Sequence, residues 1–149
     1  GAQELNGILQ ADPDVFYFSI CTSTTEKKIN SPNHFPIEGT SILARSRSKL
    51  LGSRVGYWAD GTQTDSTWFE NDGIVNKISM FGPTTGANGP DPIAMFRADE
   101  LLIPGQWYVM GDYKSDHRKF IGHSLKESEL DSMIILYSKH MALLWSLPK

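Results

Sequence analysis

The run from Asp14 to Thr22 constrains the fold more than any other part of the sequence, because it is almost continuously apolar, aromatic and β-branched. A strand covered on one face alternates apolar and polar residues, whereas a strand covered on both faces lacks this alternation. The run therefore predicts a fully buried strand of a parallel sheet. Since parallel neighbours are joined by crossover connections, the rest of the chain must supply helices.

Segments on both sides of this strand supply those helices and a further strand. Residues 2–10 predict a short helix, residues 41–51 predict an amphipathic helix closed by Gly52, and residues 105–111 predict a short strand between glycines. Residues 74–80 fit either a strand or a helical turn. The last segment predicts a helix whose apolar stripe consists of Met133, Leu136, Tyr137, His140, Met141 and Leu144. This order predicts an α/β fold with a mostly parallel sheet and crossover helices.

Length and charge narrow the functional classes. The chain has 149 residues, a net charge of -3 and 40% hydrophobic residues, which is the balance of a soluble globular domain. Its length fits one domain but is short for an α/β enzyme, so the chain could also be only part of a domain. The acidic balance excludes nucleic acid as an expected partner. The basic residues Arg45, Arg47, Lys49 and Arg54 are interpreted as a solvated helix face.

The single cysteine, Cys21, excludes an internal disulfide and is expected to pack as a small hydrophobic residue. No apolar run is long enough to span a bilayer, and the first residues lack the layout of a signal peptide. Gly82 to Pro90 superficially resembles a phosphate loop, but no Lys-Ser/Thr follows it, so a surface loop is predicted.

Four histidines are candidates for chemistry. His117 follows the strand that ends at Gly111, and loops at the carboxyl ends of sheet strands are where α/β folds place catalytic residues. His123, six positions after His117, is the second candidate. His140 is interpreted as a satisfied packing histidine on the helical stripe, and His34 as a solvent-exposed loop residue. His117 is therefore the preferred catalytic candidate.

The sequence contains no nucleophile elbow of the G-x-S-x-G type. Gly122-His123-Ser124 has the first three letters but lacks the closing glycine, and is interpreted as a chance match. No H-x-x-x-H or C-x-x-C pattern exists, so a zinc centre built from this chain alone is not expected. Asp72, in Asn71-Asp72-Gly73, is on local grounds a turn residue.

The segment from Trp68 to Asn76, with Ser79-Met80 and Gly82-Pro83 after it, resembles the stretch that carries the triad aspartate in bacterial thermoalkalophilic and staphylococcal lipases and related plant hydrolases. Residues 1–6, 17–19 and 104–117 resemble the same family in the same order. The resemblance therefore covers essentially the whole chain.

This resemblance implies that residues 1–149 are the C-terminal part of one α/β-hydrolase domain, whose N-terminal part would hold the oxyanion loop and the serine. Family order is Ser, Asp, His, and this chain would supply the last two as Asp72 and His117. Asp72 would orient the His117 ring, which acts as general base and then general acid. Asp112 and Asp116 are alternative acids, although Asp116 is poorly placed to reach the ring of its neighbour.

The resemblance also implies a calcium site built from a backbone carbonyl, here that of Gly39, and from carboxylates after the triad histidine. Lys119 and Ser124 stand where those acidic ligands are expected, so we expect this site to be degraded. The family's zinc ligands lie mainly in the absent N-terminal part, and zinc is not assigned. The chemistry itself is expected to need no cofactor.

The predicted function is hydrolysis of acylglycerols or other carboxylic esters at a lipid–water interface, by a protein that the resemblance implies to be secreted. The isolated chain is expected to be inactive. The alternative is a non-catalytic pseudoenzyme or lipid-binding derivative of the same fold. A third possibility is a binding groove formed by the four tryptophans, Trp58, Trp68, Trp107 and Trp145. Packing of these side chains in the core explains them more simply.

Overall fold

A computed structural model describes residues 8–83, 91–123 and 125–148. The predicted helix over residues 2–10 and the predicted loop over residues 82–90 lie largely outside these ranges. Within the ranges, the strands are β1 (Tyr17–Ser23), β2 (Thr25–Lys27), β3 (His34–Pro36), β4 (Ile93–Met95) and β5 (Trp107–Lys114). The α-helices are α1 (Ile42–Leu51), α2 (His117–Phe120) and α3 (Glu127–Ser146), and 3-10 helices span Ser66–Trp68 and Lys77–Met80.

The main sheet has the strand order β1-β5-β4, and both pairings are parallel. Tyr17 pairs with Trp107 at the start of β1, and the register shifts between Ser19 and Cys21. Parallel neighbours need crossovers, and the long connection from β1 to β5 contains α1, both 3-10 helices and β4. The predicted α/β class with a mainly parallel sheet is confirmed.

Strand β1 is shorter at its start than the apolar run predicts. The amide of Val15 donates to the carbonyl of Asp12 at 3.1 Å, so a turn precedes the strand, which begins at Tyr17 rather than Asp14. The ring of Tyr17 stacks on that of Trp107 with centroids 4.9 Å apart. Only the carboxyl end of the strand is fully buried. The prediction of a strand buried along its whole length was therefore wrong for its first half.

Strands β2 and β3 form an antiparallel pair that the sequence does not predict. The correction includes His34, which is half-buried in β3 rather than exposed in a loop. Its backbone amide donates to the carbonyl of Gly52 at 2.7 Å, and a Cβ on that glycine would lie 2.2 Å from the His34 carbonyl oxygen. Glycine is therefore required at position 52 because two backbones touch there.

Helix α1 begins and ends where the sequence predicts, with Ser41 before it and Gly52 after it. The basic residues Arg45, Arg47 and Lys49 are exposed to solvent on this helix as predicted, whereas Arg54 is exposed but lies after the helix end. The opposite side buries Ala44 and Ser48, so this helix packs through small residues. Small side chains allow the backbone of α1 to approach the segment that carries Asp72.

Strand β5 continues three residues beyond its predicted end at Gly111, because it pairs with β1 as far as Lys114. The ring of Tyr113 covers Gly111, and a Cβ there would lie 2.6 Å from that ring. Strand β4 was not predicted, since three residues after Pro92 carry too little pattern.

Helix α3 is present as predicted, but its stripe is only partly right. Met133, Leu136 and His140 are half-buried, whereas 62% of Met141 is exposed, and Tyr137 and Leu144 are exposed as well. Trp145 is 79% exposed, so core packing does not explain this tryptophan. No helix in the described ranges has the length and apolar character needed to cross a membrane.

Cys21 lies in the buried half of β1 and is 0% exposed, which confirms its predicted packing role. Burial, and next the negative charge of Asp112, raise the pKa of its thiol to about 11. Because the thiolate is the reactive form, we expect Cys21 to resist a disulfide reagent at pH 8 in the native state and to react within minutes in guanidinium. Absorbance of the released thiolate measures both rates. Full labelling of the native chain within minutes would contradict this account.

Candidate active site

His117 is the first residue of α2, a single helical turn, rather than part of a loop as predicted. Asp116 caps this turn, because its side chain accepts the backbone N–H of Lys119 at 3.1 Å. An aspartate at this position compensates the unpaired amides at a helix start. The second carboxylate oxygen of Asp116 accepts the backbone N–H of Ser41 at 3.1 Å, which joins the turn to the start of α1.

Asp72 lies in a tight turn between the two 3-10 helices and is 0% exposed. Its Oδ1 accepts the backbone N–H groups of Ile74 at 3.0 Å and Val75 at 2.8 Å. This arrangement is the Asx turn that local sequence reasoning favoured. The turn uses only one carboxylate oxygen, so it fixes the side chain and leaves Oδ2 available for other partners.

The ring of His117 meets that second oxygen, with Nδ1 2.8 Å from Oδ2 of Asp72. The backbone adds a second link, because the N–H of His117 donates to the carbonyl of Asp72 at 3.0 Å. The hydroxyl of Thr22, at the end of β1, also donates to Oδ2 at 2.8 Å. Within the described ranges nothing hydrogen-bonds to Nε2 of His117, which is the nitrogen left for proton exchange.

Asn71 and Gly73 hold the Asp72 turn in place. The buried side chain of Asn71 donates to the carbonyl of Ser48 in α1 at 3.1 Å and accepts the N–H of Gly73 at 2.9 Å. Gly73 has a φ of 91°, and a Cβ there would lie 3.0 Å from the Cβ of Ala44. The turn therefore needs glycine both for its backbone conformation and for its close approach to α1.

The alternative acids make other contacts. Asp116 is committed to the two backbone amides described above, and Asp112 forms a 2.7 Å ion pair with Lys77. Lys77 also pairs with Glu70 at 3.2 Å. Burial opposes the charge of Glu70, but hydrogen bonds from Lys114 and Lys77 outweigh it and hold the pKa of Glu70 below its ordinary value. Of the three acids proposed from the sequence, Asp72 is the one bonded to the imidazole.

The remaining histidines of this half of the chain lie elsewhere. His123 is exposed and contacts the guanidinium of Arg118, with 3.0 Å between Nη2 and Nε2. His140 lies edge-on to Phe18, and its buried Nδ1 has no hydrogen-bond partner in the part of the chain described. It packs as predicted, but its Nδ1 is not satisfied by a hydrogen bond within the described residues.

A shallow cleft gives access to the Asp72–His117 pair from the side of α1. Its lining combines the Asp72–His117 pair with apolar side chains from α1 and the Asp72 turn and with two arginines. The lining residues are Leu43, Ala44, Arg47, Asp72, Gly73, Ile74, His117 and Arg118. Leu43 and Ile74 are exposed at 62% and 47%, so the entrance is partly apolar.

The donor set for the implied calcium ion is not present. Calcium takes six to eight oxygen ligands, mainly carboxylates. Gly39 lies in the turn before α1 with a φ of 81°, but Lys119 places an ammonium after His117, 3.1 Å from Glu129. Ser124 lies outside the described residues. In those residues no group of three His, Cys, Asp or Glu side chains is arranged to hold a metal. The residues present do not fit calcium.

Sequence reasoning missed the residues that position the pair. Thr22 and Asn71 act through partners 50 and 23 positions away, and no local pattern reveals such contacts. The capping role of Asp116 could have been predicted from the sequence, because an aspartate just before a helical stretch is a recognised N-cap. The structure shows Asp116 as this cap and not as the alternative acid of the prediction.

The fold and the site together define a segment with an α/β-hydrolase-like fold that carries a carboxylate–imidazole pair. Three solved structures of bacterial proteins resemble it, which confirms the lipase resemblance found in the sequence. The first is EstA from Clostridium botulinum, at 32% identity and a TM-score of 0.72, with 91% of this chain and 32% of that protein covered.

The lipase of Staphylococcus hyicus is similar at 21% identity and a TM-score of 0.71, over 99% of this chain and 36% of that protein. Lipase 1 from Pelosinus fermentans is similar at 27% identity and a TM-score of 0.57, over 78% of this chain and 30% of that protein. The chain thus spans about a third of the length of these proteins. No protein-family model matches the chain.

Proposed function

We propose that this chain supplies the acid and the base of a serine carboxylic ester hydrolase that acts on acylglycerols. The observation that carries the proposal is the 2.8 Å contact between Oδ2 of Asp72 and Nδ1 of His117, made by a buried carboxylate. A carboxylate in this position fixes the tautomer of the imidazole and stabilises the imidazolium that forms during acyl transfer. The likeness to solved bacterial lipases supports the same reaction class.

In the proposed reaction, a serine hydroxyl attacks the ester carbonyl while Nε2 of His117 takes the hydroxyl proton. The imidazolium then gives that proton to the departing alcohol, and the C–O bond of the ester breaks to leave an acyl-serine. Water attacks the acyl-serine by the same route, with His117 again taking and returning a proton. Asp72 remains ionised throughout and balances the charge of the imidazolium.

The serine is proposed to come from an N-terminal part of the same domain. The sequence has no G-x-S-x-G elbow, and the chain covers about a third of the related structures. In the described ranges β1 pairs on one side only, with β5. The carboxyl half of β1 is fully buried, so a further strand beside this open edge would extend the sheet from a buried position. We therefore propose residues 1–149 as the C-terminal part of one domain.

The proposed substrate is an ester at a lipid–water interface. The apolar side chains of Leu43 and Ile74 at the cleft support contact with an acyl chain. Calcium is not required in this proposal, and zinc is not assigned. An extracellular location rests on the resemblance to bacterial lipases and stays a prediction.

The test compares the 149-residue chain with the full natural polypeptide that contains it, using p-nitrophenyl esters of short and long acids. We expect turnover and fluorophosphonate labelling of a serine in the full polypeptide, and neither in the 149-residue chain. Labelling of the short chain at a serine would contradict the division of the triad. A folded full polypeptide without turnover would favour a pseudoenzyme or lipid-binding derivative instead.

A further inference from the structure

We propose that the ammonium of Lys119 is a built-in cation that holds the His117 helix to α3, so that the site keeps its geometry without a bound divalent metal. The inference concerns the anchoring of α2 and does not depend on the reaction proposed above. Helix α2 has only four residues, and a single turn is not stable alone. Its position must therefore come from tertiary contacts.

Lys119 provides such a contact to the first turn of α3. Its Nζ lies 3.1 Å from Oε1 of Glu129, and both side chains are partly shielded, at 17% and 36% exposure. The other oxygen of Glu129 accepts the backbone N–H of Lys126 at 2.8 Å, immediately before α3. One carboxylate thus joins α2 to the capped start of α3. The ammonium supplies the positive charge that this carboxylate needs.

A second contact joins the same two helices. The hydroxyl of Tyr137 in α3 donates to the carbonyl of Phe120 at 3.1 Å, and their rings lie 6.4 Å apart. On its other side α2 is tied to the Asp72 turn by the backbone bond from His117. Helix α2 is therefore held between the Asp72 turn on one side and α3 on the other. Lys119 makes the ionic contact to α3, and Phe120 makes the second contact.

The same contacts disfavour a divalent ion. An ammonium beside Glu129 repels a second cation, and the two oxygens of Asp116 already accept the amides of Lys119 and Ser41. The carbonyl of Gly39 alone cannot replace a carboxylate cage. A bound metal and an ion pair are thus two alternative ways to hold α2 in place. The residues present form the ion pair between Lys119 and Glu129.

The test measures hydrogen exchange of the α2 amides in the full natural polypeptide, comparing Lys119→Met with Lys139→Met. Lys139 is an exposed lysine of α3, so its replacement changes the net charge equally. A partly exposed ion pair contributes up to about 1 kcal/mol, so we expect three- to fivefold faster exchange at Phe120, Ile121 and Gly122 in Lys119→Met only. We also expect no change in these rates when calcium replaces EDTA.

Two results would overturn the proposal. Equal exchange rates in Lys119→Met and Lys139→Met would show that the ion pair does not anchor α2. Exchange at Phe120, Ile121 and Gly122 that is several-fold slower in calcium than in EDTA would show that a metal does the anchoring. Neither readout uses ester turnover, so a failure of the proposed function leaves this test intact.

Discussion

Replacing His117 with alanine is expected to lower kcat for ester hydrolysis by a factor of at least about 10³ in the full polypeptide. The variant loses the group that takes the serine proton and returns it to the alcohol. Its KM is expected to change little, because the imidazole acts on the reacting atoms rather than on the acyl chain. Initial rates with a short and a long p-nitrophenyl ester measure both constants.

The matched control is His123→Ala, which removes an exposed imidazole six positions along the chain. We expect its kcat to stay within about twofold of the unmodified enzyme, because His123 contacts Arg118 and not Asp72. Thermal unfolding of both variants shows whether the fold is retained. If His117→Ala keeps more than a tenth of the kcat while folded, His117 is not the general base.

The buried elements of the fold could be predicted from the sequence because their patterns are local. The apolar run in β1 indicated a parallel strand, and the spacing before Gly52 indicated α1 with its correct end. The turn that delays β1 to Tyr17 is held by hydrogen bonds from the amides of Val15 and Asp14 to Asp12, and apolar periodicity carries no signal for them. Strand ends are set by such individual bonds.

The short strands could not be predicted for a different reason. β2, β3 and β4 have three residues each, too few for an alternation to be recognised. β2 is also polar, and the two strands form because their backbones pair and because His34 contacts Gly52. For α3 the helix was predicted correctly, but the burial of its apolar stripe was predicted wrongly for several side chains. An apolar stripe does not reveal whether another element covers it.

The pairing of Asp72 with His117 came from the family resemblance rather than from local chemistry. Local reasoning identified a turn at Asp72, and the structure contains that turn at Oδ1 together with the imidazole contact at Oδ2. The two interpretations are compatible because they use different oxygens. What local reasoning lacked was the position of His117, which is 45 residues away in sequence.

Replacing Asp72 with asparagine is expected to lower kcat by about 10³- to 10⁴-fold while leaving the fold intact, a magnitude known from triads of other serine hydrolases. Oδ1 must still accept the amides of Ile74 and Val75, so the new NH₂ group takes the position of Oδ2. An NH₂ there donates to Nδ1 of His117, which moves the imidazole proton to Nε2. That tautomer cannot accept the serine proton.

The control is Asp112→Asn, which neutralises a nearby carboxylate that forms an ion pair with Lys77. Because Asp112 faces Lys77 and not the imidazole, we expect its kcat to fall no more than about threefold. Equal Tm values for the unmodified enzyme and Asp72→Asn, within a few degrees, would show that the loss lies in the chemistry. If the pattern is reversed, with Asp112→Asn inactive and Asp72→Asn active, Asp72 is a turn residue only and the acid of the triad must be assigned elsewhere.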